Sequence, residues 1–81
     1  MDEDLEKANK KWIAAEWEAD AAHEAVQKAV DACLDSASWK DWESARNQLR
    51  EAVGAEFRTE KARRKAWSEY ERAKYQHEEA A

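Results

Sequence analysis

Two histidines, one cysteine and nineteen carboxylates are the side chains with chemistry to offer, and their spacing decides what that chemistry is. His23-Glu24-Ala25-Val26-Gln27 falls one residue short of a zinc-metalloprotease helix, which needs His at its first and fifth positions so that two imidazoles face one metal. Gln27 is no zinc ligand, so the stretch implies no metal, and His23 reads as a hydrogen-bonded or wet group at the margin of a helix seam. His77, followed by Glu78 and Glu79, falls where the chain is expected to fray and reads as solvated. Cys33 becomes a nucleophile only with a base beside it. As the one cysteine it forms no internal disulfide and no Cys-based zinc site, and its place in an apolar series makes it a small buried hydrophobe. The carboxylates need a pocket that drives two of them to different pKa values, which a pair of helices does not offer. No Gly-rich phosphate loop is present. The expectation is a chain with no catalytic residue, no metal, no cofactor and no small-molecule substrate.

Those residues are carried on helices. The 81 residues include no Pro and a single Gly, and Val, Ile and Thr are scarce, which favours helix nearly throughout and disfavours strands. From Leu5 the positions Ala8, Trp12, Ala15, Ala19, Ala22, Val26, Ala29 and Cys33 alternate three- and four-residue steps, a coiled-coil seam whose alanines call for a closely approaching helix. Its phase is lost at Asp35-Ser36-Ala37-Ser38. The apolar series resumes at Trp42, Ala45, Leu49, Ala52, Ala66 and Tyr70, and Ser38 with Asp41 matches a Ser-x-x-acid capping box. The spacing predicts one domain, an all-α antiparallel two-helix hairpin, coiled-coil-like, with a helix over 3–34, a turn at 35–38 and a helix over 39–79. Gly54 is the position that tests the second helix, with a three-helix bundle broken there as the alternative.

Folding at that turn gives a register in which paired seam positions add to about 75: Val26 opposite Leu49, Ala8 opposite Ala66, Leu5 opposite Tyr70. The same rule faces Ala19 with Glu56, Ala15 with Thr59 and Trp12 with Arg63. The second helix's seam therefore has a polar gap at Glu56, Thr59 and Arg63, with Arg63 over the Trp12 ring as a cation–π contact worth about 0.5 to 2 kcal/mol. Residues 73–81 should overhang the first helix by about two turns.

Charge sorts by half. Residues 1–37 hold ten acids and four bases, and residues 38–81 nine acids and ten bases, for a net charge of −5. The outer side of the first helix is acidic with Ile13 and Trp17 embedded. The outer side of the second carries Trp39, Arg46, Arg50, Phe57, Lys61, Arg64 and Arg72, cations set among aromatic residues. Trp, Tyr, Phe and Arg are the residue types favoured at protein contacts, and the two outer sides complement each other in charge. The expected function is a non-catalytic protein–protein interaction module or small protein inhibitor, binding through Trp39, Arg46, Arg50, Phe57, Lys61, Arg64, Arg72, Trp17 and Ile13, with a homodimeric four-helix bundle as its assembly. Nucleic-acid-backbone binding by the same face is the alternative, opposed by the acidic net charge. No apolar run approaches membrane-spanning length, and Met1-Asp2-Glu3-Asp4 is acidic where a targeting peptide carries positive charge, so a soluble cytoplasmic protein without a membrane partner is expected.

Two wider comparisons follow from these residues. A two-helix hairpin with Trp39 at its turn and a Tyr-x-x-x-acid pattern late in the second helix, here Tyr75 and Glu79, resembles the small helical proteins exported by type VII secretion. That resemblance implies a secreted hairpin. The turn departs from the family, whose Trp-x-Gly is replaced by Trp39-Lys40-Asp41. Short charge-rich helical chains are also common among phage and mobile-element inhibitors of host machinery, a likeness of class that no motif carries.

Overall fold

The computed structural model describes residues 2–80, and Met1 and Ala81 lie outside it. Two helices account for nearly all of the chain: α1, Asp2–Leu34, and α2, Trp39–Ala80. They pack against each other as an antiparallel hairpin 63 Å long and 13 Å across in both other directions. Among the described residues there is no strand, and no helix is long and apolar enough to cross a membrane.

Residues 35–38 join the two helices. The Ser36 hydroxyl donates to the Ala32 carbonyl at 2.8 Å, and the Asp35 amide donates to the Asp31 carbonyl at 2.9 Å, so α1 ends on its own carbonyls. Ser38 then opens α2, its Oγ accepting from the Asp41 amide at 3.2 Å and its carbonyl from the Trp42 amide at 3.0 Å. No described residue has a positive φ, which is why the turn works without glycine.

Gly54 leaves α2 unbroken. Forty-two residues at helical rise span about 63 Å, which is the length of the whole molecule, so the helix is straight through that position. A methyl group added there would meet only the flexible end of Arg58, with Nη1 at 3.4 Å.

The core is made of small residues. Among the described residues only Ala29, Ala45 and Ala66 are buried, and no large side chain is fully so. The helices meet across alanines, and larger groups flank the seam. At the open end Trp12 stacks on Tyr70, with centroids 5.5 Å apart and planes 16° apart, and tilts against Trp67 at 4.9 Å. At the turn end Trp39 stacks on Trp42 at 5.0 Å, and the Arg46 guanidinium lies 5.5 Å over the Trp42 ring.

The register differs from the expected one by about a helical turn. Arg63 meets Glu16 and His23 meets Glu56, pairs whose numbers add to 79, and Lys11 meets Glu69, adding to 80. Trp12 is therefore stacked on Tyr70 and Trp67, while Arg63 goes to carboxylates instead of to the Trp12 ring. The cause is side-chain direction. Helical side chains lean toward their own N-terminus, so in an antiparallel pair those of α1 lean away from the turn and those of α2 toward it. Groups that touch thus belong to residues further along both helices than backbone height alone suggests. For the same reason the overhang is shorter than two turns. Ala73 and His77 are half-buried, whereas the sequence predicts an overhang that begins at Ala73 and leaves His77 solvated.

Two substitutions test this account. Gly54→Ala is expected to stabilise the chain by about 0.5 to 1 kcal/mol, because the helix is regular there and the methyl displaces only a mobile side-chain end. Ser38→Ala is expected to cost about 1 kcal/mol through the lost cap. Thermal unfolding followed by circular dichroism reads both, and a destabilising Gly54→Ala would show that α2 bends in solution.

Candidate interaction face

Each anticipated contact residue is exposed. Trp17, Trp39 and Phe57 keep 72, 73 and 77% of their surface open, Ile13 is open at its margin, and Arg46, Arg50, Lys61, Arg64 and Arg72 all reach solvent. Glu56, Thr59 and Arg63 are half-buried beside the seam. Helix geometry explains the difference. The exposed set recurs at seven- and eleven-residue intervals on α2, about opposite the alanines, whereas Glu56 and Arg63 flank them.

The polar gap is closed by pairing. Arg63 Nη1 donates to Glu16 Oε1 at 3.1 Å and its Nε donates to Glu60 Oε2 at 3.0 Å, with a further contact between Nη2 and Glu60 Oε1. The guanidinium thus bridges α1 and α2 while bound to a carboxylate of its own helix. The hydrogen bonds it donates to Glu60 and then Glu16 raise its pKa, so it stays charged throughout the working range. Thr59 satisfies itself by donating to the Glu56 carbonyl at 3.1 Å. His23 Nδ1 lies 2.9 Å from Glu56 Oε2, in keeping with the expected role of this histidine as a hydrogen-bonded group at the seam margin.

Beside this bridge the hairpin opens into a groove of about 790 Å³. One wall is α1, with Glu16, Asp20 and His23; the other is α2, with Val53, Phe57, Lys61 and Arg64. Phe57, Lys61 and Arg64 therefore meet Glu56 and Arg63 in one place. Trp39 and Arg46 do not reach it, since they stand near the turn in the stack on Trp42. Arg72 lies on the same helix beyond the groove. Asp20, His23, Glu16 and Trp67 fall outside the contact residues the sequence predicts, although it carries a signal for them. Each follows a seam position (Ala19, Ala22, Ala15 and Ala66) by one residue, the flanking place where a coiled coil puts groups that reach across.

Among the described residues no three of His, Cys, Asp and Glu come together as metal ligands. Cys33 is half-buried at the seam with its thiol free. Tyr75 donates to Glu79 at 3.3 Å, so the late Tyr-x-x-x-acid pair closes on itself within one turn.

The bridges carry a pH dependence. The hydrogen bond from Lys11 holds Glu69 below the usual carboxylate range, and that from Arg63 does the same for Glu60. A carboxylate whose pKa is depressed by folding contributes stability that is complete above its unfolded value and is lost as pH falls through the folded one. The melting temperature is expected to decline below about pH 5, and Lys11→Gln is expected to make that decline shallower. An unchanged acid slope in Lys11→Gln would show that the Lys11–Glu69 bridge does not form in solution.

Compared with known protein families, with curated proteins and with solved structures, the chain matches none.

Proposed function

We infer that this hairpin is a non-catalytic protein-binding module, of the interaction or small-inhibitor kind, working through the groove and the exposed stripe beside it. The observation that carries the reading is the company kept by the large aromatic groups. Trp17, Trp39 and Phe57 stand almost fully exposed, and near them Arg50 and Lys61 make no ion pair with any described residue. Exposed rings of this size cost solvation until something covers them, and a ring flanked by unpaired cations is the composition of a protein-contact centre. A groove walled by acids on α1 and cations on α2 suits a partner that brings both signs. Assembly as a four-helix bundle belongs to the same reading.

Nucleic acid is the second reading, favoured by the same unpaired cations next to rings that can stack on bases, and opposed by the net charge of −5. One double variant separates the two. Phe57→Ser with Arg64→Glu removes a ring and reverses a charge at exposed positions, so helicity should persist. It is expected to abolish capture of protein partners from an extract of the native cell, with no shift of a labelled oligonucleotide at low salt by the unmodified chain. Capture unchanged by the double variant, or salt-dependent oligonucleotide binding, sinks the protein-binding reading.

A further inference from the structure

The chain exposes 6563 Å² of surface, whereas a compact folded chain of its 9.4 kDa exposes about 5,000 Å². The excess of about 1,500 Å² is on the order of what one protomer gives up to an obligate interface. An elongated hairpin with an alanine seam lacks the depth to bury it alone.

The exposed apolar surface is concentrated on one broad side. Asp20 of α1 and Phe57, Lys61 and Arg64 of α2 line the same groove, so the stripes to which they belong open the same way. Ile13 and Trp17 stand seven and three residues before Asp20, and Arg50 and Arg64 stand seven residues either side of Phe57. Midway along that side the unpaired charges sort by helix, while Glu43 and Glu71 stand seven residues outside Arg50 and Arg64 on the same α2 stripe. Asp20 and Asp31 on α1, and Arg50 and Lys61 on α2, make no ion pair with any described residue.

We propose that the groove side is covered by a second copy of the chain, related by a two-fold axis parallel to the helices, so that each α1 lies antiparallel on the α2 of the other copy. This rests on the protein-binding reading above and names the protein bound. A rotation about an axis along the helices moves nothing along them. The α1 of the second copy therefore meets α2 at the height where the chain's own α1 does, at pairs adding to 79 or 80. At that height Asp20 of one copy stands level with Lys61 of the other and Asp31 with Arg50, each pair adding to 81. Trp17 enters between Phe57 and Arg64. A two-fold axis perpendicular to the helices would instead lay α1 on α1, acid against acid. The charges thus select the first arrangement, and it places both turns at one end of the bundle.

Charge exchange tests it. Sedimentation equilibrium at tens of micromolar is expected to find a dimer for the unmodified chain. Asp20→Lys with Asp31→Lys, and separately Arg50→Glu with Lys61→Glu, each bring like charges together at both contacts and are expected to weaken self-association at least about tenfold. Mixed one to one, the two variants oppose acid with base at both contacts and are expected to form a heterodimer as tight as the unmodified dimer. Spin labels on Leu34→Cys in a Cys33→Ser background are expected to lie far closer together than the 63 Å molecular length. A monomeric unmodified chain, a mixture no tighter than its separate components, or labels at opposite ends of the particle each overturn the proposal. A monomer whose partner capture is still lost with Phe57→Ser and Arg64→Glu would remove the self-pairing and leave the protein-binding reading standing.

Discussion

The close approach of two helices across alanine is the constraint on which the rest of this structure depends. Ala29, Ala45 and Ala66 are the buried core, and their lack of volume brings the backbones near enough that nothing larger fits between them. Every bulky side chain is consequently displaced from the interface to its edges or beyond. Trp12, Trp67 and Tyr70 gather at the open end, Trp39 and Trp42 at the turn, and Trp17 and Phe57 stand exposed outside the seam, Phe57 at the edge of the groove. The exposed aromatic surface is thus the direct counterpart of the narrow core.

The same narrowness explains the polar character of the middle. With backbones so close, residues one place beside the seam are long enough to reach across it, and Glu16, Arg63 and Glu60 form a bridge of charges where a wider interface would hold leucines. These groups remain about one-third exposed, so their mutual attraction is screened and contributes modestly to stability. Their larger effect is on specificity. A slip of one turn would separate Lys11 from Glu69, Glu16 from Arg63 and His23 from Glu56 together, so the bridges hold a register that alanine alone specifies weakly.

A groove bordered by this bridge has an unusual mixture of properties. Its floor is fixed by paired charges, while its rim carries Phe57 and the unpaired Lys61 and Asp20. Affinity at such a site would come from covering the rings, and orientation from the rim charges. The acidic and basic halves of the sequence become, after folding, the two walls of one groove.

By itself the sequence determined the elements. Three- and four-residue steps defined both helices, the lost phase at Asp35 to Ser38 placed the turn, and Ser38 with Asp41 marked the new start, because helix periodicity and capping are local properties of the chain. The outward position of Trp39, Arg46, Phe57 and Arg64 was legible for the same reason. Only the tertiary structure decided who faces whom. The lean of side chains toward each helix's own N-terminus shifts contacts by about a turn, so Arg63 found Glu16 and left Trp12 to Tyr70 and Trp67. The groove was likewise invisible to periodicity alone, since Glu16, Asp20 and His23 belong to one helix and Phe57, Lys61 and Arg64 to the other. Local pattern tells which face of a helix is apolar, but the height at which two faces meet is set by the turn and by side-chain direction acting together in three dimensions.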